Sequence, residues 1–154
     1  MKKKKSIQDF YEMKKNGEKI TFLTAYDFPT ATFAEDAGLD MLLVGDSLGM
    51  CVYGYKGTVP VVMDQMIYHA EAVRRGAPNT YVVGDMPFMS YQSSVEKAVE
   101  NAGRFLKEAD CDAIKLEGGT LMQNYLEKHY ALNLTADAVT KAGIGVICAN
   151  NLHQ

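Results

Sequence analysis

Three acidic residues occupy matching places in a repeated pattern. Val44-Gly45-Asp46 and Val83-Gly84-Asp85 are the same tripeptide, and each closes an apolar run that suits a buried strand. A third such run, Cys111 to Leu116, ends on Glu117 before Gly118-Gly119. In parallel α/β folds ligand chemistry collects beyond the carboxyl ends of the strands, so Asp46, Asp85 and Glu117 would meet on one rim. Clustered carboxylates repel unless a cation neutralises them or one keeps its proton. An all-oxygen donor set favours a hard divalent ion such as Mg²⁺. Against this stands the ordinary use of Asp and Gly as turn and cap residues at strand ends. The repeat taken with Glu117 leaves both readings open.

Lys115 interrupts an apolar run two residues before Glu117, so the two share a strand face while Ile114 and Leu116 point to the other. A cation beside an acidic rim could grip an anionic substrate such as a carboxylate. A purely structural Lys115–Glu117 pair explains the spacing equally well. Ser47, directly after Asp46, adds a hydroxyl and a backbone N–H to the same rim. The chain contains no G-x-S-x-G elbow, Walker loop, G-x-G-x-x-G fingerprint or H-E-x-x-H motif.

The elements that must position these groups alternate between strand and helix. Strand-like runs occur at Ile20–Ala25, Met41–Val44, Thr80–Val83, Cys111–Leu116 and Ile144–Ala149. A helix from Ile7 to Lys15 precedes them. Asp27 with Pro29 starts a second helix that Gly38 stops. A glycine-punctuated stretch (Gly49, Gly54, Gly57) leads to a third helix, where Met63, Met66, Ile67, Ala70 and Val73 recur at helical spacing. Ser93-Ser94-Val95-Glu96 matches a capping box for a fourth, with Val95, Ala98, Val99, Ala102, Phe105 and Leu106 on one face. A longer helical region is expected from about Leu121 to Ala142. This order predicts an α/β fold, a parallel (β/α) barrel of the TIM type with about five strands and an N-terminal helix, in a single domain over residues 1–154.

Composition narrows the class. The 154 residues carry 16 Lys+Arg against 19 Asp+Glu, a net charge of −3 that argues against general nucleic-acid binding. The basic start, residues 1–5, reads as a solvated tail. No apolar run approaches the roughly 20 residues that cross a bilayer. No signal-peptide core follows the lysines, so a cytoplasmic location is expected. The 3 Cys form no C-x-x-C pair and the 3 His are far apart, which suggests packed thiols and no local zinc site.

Several ordered strings together resemble the ketopantoate hydroxymethyltransferase (3-methyl-2-oxobutanoate hydroxymethyltransferase) family. They are Leu23-Thr24-Ala25-Tyr26-Asp27, Val44-Gly45-Asp46-Ser47-Leu48-Gly49-Met50, Thr58-Val59-Pro60-Val61, and Tyr68-His69 with Ala72-Val73-Arg74-Arg75-Gly76-Ala77-Pro78-Asn79. Asp85-Met86-Pro87-Phe88-Met89-Ser90-Tyr91 and Lys115-Leu116-Glu117-Gly118-Gly119 complete the set. The resemblance implies a barrel of the phosphoenolpyruvate/pyruvate type. It further implies Mg²⁺-dependent transfer of a hydroxymethyl group from 5,10-methylenetetrahydrofolate to 3-methyl-2-oxobutanoate, in pantothenate synthesis. Asp46 and Asp85 match the metal ligands, and Glu117 matches a position close to the metal. Ser47 and Lys115, beside Asp85, match the groups that hold the 2-oxo acid. A homo-oligomer is expected as well.

Two features depart from the family pattern. Its general-base glutamate belongs to a later strand, expected beyond Gln154, so no catalytic base is assigned. Its loop histidine after the fifth strand aligns with Ala149, and His153 is not assigned that role. Residues 120–142 match poorly, and the chain is expected to be about three strands short of a barrel of roughly 250 residues. A related reading is another Mg²⁺-dependent lyase or aldolase of the same superfamily. A different class of reading is a non-catalytic half-barrel that keeps the Mg²⁺/keto-acid half-site or only self-associates.

Overall fold

The computed structural model describes residues 3–117 and 139–149. Five parallel strands form one sheet in sequential order, each paired with the next. They are β1 (Phe22–Thr24), β2 (Met41–Val44), β3 (Tyr81–Asp85), β4 (Ala113–Glu117) and β5 (Gly145–Ala149). Helices α1 (Ile7–Lys15), α2 (Phe28–Asp36), α3 (Leu48–Cys51), α4 (Met63–Gly76) and α5 (Val95–Lys107) precede or connect the first four strands. A sequential all-parallel sheet with helical crossovers is the arrangement of a (β/α) barrel wall.

Alternation along the strands separates two apolar clusters. Leu42, Val44, Val82, Ile114 and Leu116 are buried against the helices, among them Met66, Ile67, Ala70 and Phe105. Met41, Tyr81, Val83 and Ala113 face the other way and gather around Phe10 of α1. The Phe10 ring meets Tyr81 edge-on, with centroids 5.2 Å apart. Ser6 and Asp9 close a reciprocal capping box that sets where α1 begins: the Ser6 N–H donates to Asp9 at 2.6 Å, and Ser6 Oγ accepts from the Asp9 N–H. Thus α1 plugs the amino-terminal end of the inner face and leaves its carboxyl end for polar groups.

Gly84 lets α5 sit close on β3. A Cβ there would lie 2.3 Å from Phe105 Cδ1, so the glycine in the second copy of the repeated tripeptide is a packing requirement. Gly76 does the same between helices, since a Cβ would stand 2.3 Å from the Phe28 carbonyl oxygen.

Some expectations are corrected. The basic start is not wholly solvated: Lys5 pairs with buried Asp40, and Lys4 pairs with Asp112 at 2.5 Å. Asp40 also accepts from the Thr21 N–H and hydroxyl, and Asp112 from Arg74 and the Val82 N–H, so both acids are built into the foot of the sheet. The cap of α5 is Ser94, one residue later than expected, because Ser94 has the extended backbone and its Oγ accepts from the Lys97 N–H at 3.2 Å. The strand expected over Ile20–Ala25 narrows to three residues, which pair on one side only. Short helix α3 occupies part of the expected glycine-rich loop. Most of the divergent segment 120–142, together with His153, lies outside the described residues. No helix among the described residues is long and apolar enough to cross a membrane.

Candidate functional site

The carboxyl ends of β2, β3 and β4 bring Asp46, Asp85 and Glu117 together. One carboxylate oxygen from each lies within 4.8 Å of the others. Asp85 and Glu117 project from the inner face because they keep the alternation of Val83 and Ala113, while Asp46 follows β2 in the adjoining loop. The register supports the convergence, since Asp85 stands opposite Lys115 on the neighbouring strand.

Lys115 is the centre of the group. Its Nζ donates to both Asp85 oxygens, at 2.8 and 2.9 Å, and to Glu117 Oε1 at 2.8 Å. The structural pair with Glu117 therefore exists, yet Asp85 receives two bonds to its one. The Asp46 N–H also donates to Asp85 Oδ2 at 3.2 Å. Asp85 is 2% exposed. Burial, the largest influence, pushes its carboxyl up to about 6 against the pull of Lys115, and the charge of Asp46 pushes the same way. Asp46 is raised too, by burial first and by Glu117, against a hydrogen bond from the Thr58 side chain. Burial disfavours the Lys115 charge, but Asp85 and Glu117 outweigh it and hold the ammonium above its ordinary value.

Ionised, three carboxylates and one ammonium leave two negative charges uncompensated. A divalent cation balances that surplus, and every available ligand atom is a carboxylate oxygen, the donor type that hard ions prefer. The residues present fit Mg²⁺ on these grounds.

Ser47 joins the site from the amino-terminal end of α3. Its side chain makes no capping bond there and instead meets the Tyr26 hydroxyl at 2.9 Å. Tyr26 comes from the end of β1 and adds a fourth strand end to the rim. Tyr91, in the loop after β3, donates its hydroxyl to the Glu117 carbonyl oxygen at 2.8 Å and is raised by burial, so it stays protonated. Sequence reasoning assigned no role to Tyr26, Thr58 or Tyr91. For Tyr26 the usable signal was its place two residues past a strand; spacing marks neither of the others.

Residues 4–148 match the family model described as ketopantoate hydroxymethyltransferase. A 3-methyl-2-oxobutanoate hydroxymethyltransferase from Alkaliphilus metalliredigens (strain QYMF) is 58% identical over 147 residues, which cover 96% of this chain and 49% of that protein. The protein of the same name from Geobacillus kaustophilus (strain HTA426) is 51% identical over 143 residues, covering 93% of this chain and 48% of its own. The chain thus spans about half the length of the curated relatives it matches. Among solved structures, a phosphonopyruvate hydrolase in complex with oxalate and Mg²⁺ superposes with a TM-score of 0.72 at 16% identity, over 93% of this chain and 51% of the hydrolase. A 2,3-dimethylmalate lyase of the PEP mutase/isocitrate lyase superfamily gives 0.67 at 18%, over 96% and 52%. At such identities these structures bear on the fold alone, and they agree with the barrel wall described above.

Proposed function

This chain belongs to the ketopantoate hydroxymethyltransferase family, and from that premise we propose that it contributes to transfer of a hydroxymethyl group from 5,10-methylenetetrahydrofolate to 3-methyl-2-oxobutanoate, giving ketopantoate for pantothenate synthesis. The observation that carries the reading is the convergence of Asp46, Asp85 and Glu117 around Lys115 at three successive strand ends. Asp46 and Asp85 would hold Mg²⁺ with Glu117 beside them. When bound, the ion supplies Lewis-acid polarisation of the keto oxygen, which acidifies the neighbouring C–H.

The chain's own groups bind and orient the 2-oxo acid. Lys115 carries a positive charge that Asp85 and Glu117 maintain, and it can turn one of its three N–H bonds to the acid's carboxylate while keeping Asp85. Ser47 offers a hydroxyl and a backbone N–H from the adjoining loop. The base that removes the C3 proton is the glutamate that family members carry on a later strand. The protein is a cytoplasmic homo-oligomer on this reading.

Deuterium exchange at C3 of 3-methyl-2-oxobutanoate, followed with and without Mg²⁺, tests the reading. Methylenetetrahydrofolate is then added and ketopantoate assayed. Mg²⁺-dependent binding that is lost in Asp46→Ala and Asp85→Ala is expected. Unchanged binding in both variants would refute the assignment. Binding with no exchange would indicate a site that holds the acid without turning it over.

A further inference from the structure

Building on the proposed binding of a 2-oxo acid, we infer that Tyr26 is a positioning residue. Its phenol orients Ser47 Oγ so that the serine's own proton is free for an anionic group of the substrate. Four observations support this assignment.

The Ser47 hydroxyl does no work in the fold. It sits at the start of α3 yet makes no capping bond, and its side chain is bonded to Tyr26 Oη at 2.9 Å. The chain also makes room for that placement. A Cβ on Gly45 would lie 2.8 Å from Ser47 Oγ, so the glycine two residues earlier leaves the hydroxyl its position.

The contact between Tyr26 and Ser47 admits either hydroxyl as donor. A hydroxyl has one proton and two acceptor sites. The phenol has two acceptors in reach, Ser47 Oγ at 2.9 Å and Cys51 Sγ at 3.5 Å, and sulfur is the weaker of the two. On this inference the phenol proton goes to Ser47 Oγ. Ser47 then accepts from Tyr26 and retains its own O–H for a ligand at the rim.

Tyr26 is itself held in place. His69 of α4 donates from Nδ1 to the Tyr26 carbonyl oxygen, because a carbonyl can only accept. The other ring nitrogen, Nε2, meets the Tyr53 hydroxyl at 3.0 Å. The end of β1 is thereby fastened to α4 at the residue whose side chain reaches Ser47.

A double-mutant cycle tests the inference. Tyr26→Phe keeps the ring and removes the hydroxyl; Ser47→Ala removes the group it orients. Mg²⁺-dependent binding of 3-methyl-2-oxobutanoate is measured by calorimetry for the wild type, both single variants and the double variant, alongside Mg²⁺ affinity and melting temperature. The single Tyr26→Phe change is expected to weaken acid binding roughly fivefold, the value of one hydrogen bond, with Mg²⁺ affinity and melting temperature unchanged. The double variant should bind no more weakly than Ser47→Ala alone. Wild-type acid binding by Tyr26→Phe would overturn the inference, and so would full additivity in the double variant. Should the wild type bind no 2-oxo acid, the proposed function fails first. The Ser47 Cβ resonance then decides the inference: a shift in Tyr26→Phe supports it, and an unchanged resonance overturns it.

Discussion

If the site holds the proposed divalent cation, Asp85 makes its binding sensitive to pH. Its carboxyl is nearly inaccessible and is pushed up to about 6, chiefly by burial. A cation that requires the ionised form must displace that proton. At pH 5 the carboxyl is protonated about ten times in eleven, and at pH 7 about one time in eleven. Apparent Mg²⁺ affinity should therefore rise about tenfold from pH 5 to pH 7, equivalent to about 1.4 kcal/mol. Asp46, raised in the same direction, steepens the slope further. The metal-free protein should show the reverse in its stability. A carboxyl whose folded pKa exceeds its unfolded value binds more protons when folded between those two values. Stability then falls as pH climbs from about 4 to about 6, by about 3 kcal/mol for a shift of about two units. Calorimetric titration with Mg²⁺ at pH 5, 6 and 7, in buffers of different ionisation enthalpy, reads both affinity and proton release. Near pH 6 about half a proton should leave Asp85 per ion bound. A flat affinity over this range with no proton release would refute the reasoning, because it would mean that the ion does not engage Asp85.

Gly84→Ala should destabilise the fold by about 2 kcal/mol in urea melts, since its Cβ meets the Phe105 ring; Phe105→Leu in the same chain should recover part of the loss. Asp40→Asn should cost about 2 kcal/mol near neutral pH, because buried Asp40 is bonded to Lys5, the Thr21 N–H and the Thr21 hydroxyl. Burial raises the Asp40 carboxyl, but those partners outweigh it and hold it below its ordinary value. Its contribution is thus complete above the ordinary carboxylate range and vanishes as pH falls through the lowered value, so wild type and variant should converge in acid. Light scattering should find an oligomer, and a monodisperse monomer at micromolar concentration would contradict the proposed homo-oligomer.

Strand order, parallel direction and four of the helices could be read from the sequence because each rests on local signals. Continuous apolar runs marked β2 and β3, which are covered on both faces, and Asp27 with Pro29 marked the start of α2. The site carboxylates were readable for a related reason: a residue that ends a strand in a parallel sheet has only one rim to occupy. Contacts between distant segments left no such trace. Lys115 has Glu117 two residues away, yet its two bonds to Asp85 arise from strand register. Lys4 and Lys5 look like a tail until Asp112 and Asp40 are placed at the foot of the sheet. Tyr26 and Ser47 are separated by a whole βα unit, and only closure of β1 against β2 makes them neighbours.

The two ends of the inner face set the character of the site. At the amino-terminal end, Phe10, Met41, Tyr81 and Ala113 pack closely and exclude water beneath the rim. The acids above therefore sit on an apolar floor, and the Asp85 charge is poorly solvated from below. At Asp85 burial outweighs Lys115 even though the ammonium donates to both of its oxygens. One lysine cannot neutralise three acids in such a place, whereas a divalent ion together with that lysine can. The plug of α1 is thus coupled to the chemistry proposed for the rim. Loosening it, as Phe10→Ala would, should admit water beneath Asp85, lower its carboxyl toward the ordinary range and flatten the pH dependence of Mg²⁺ binding, even though Phe10 belongs to the helix at the opposite end of the sheet. A Phe10→Ala protein that remains folded and keeps the full tenfold slope would show that the floor does not control the charge.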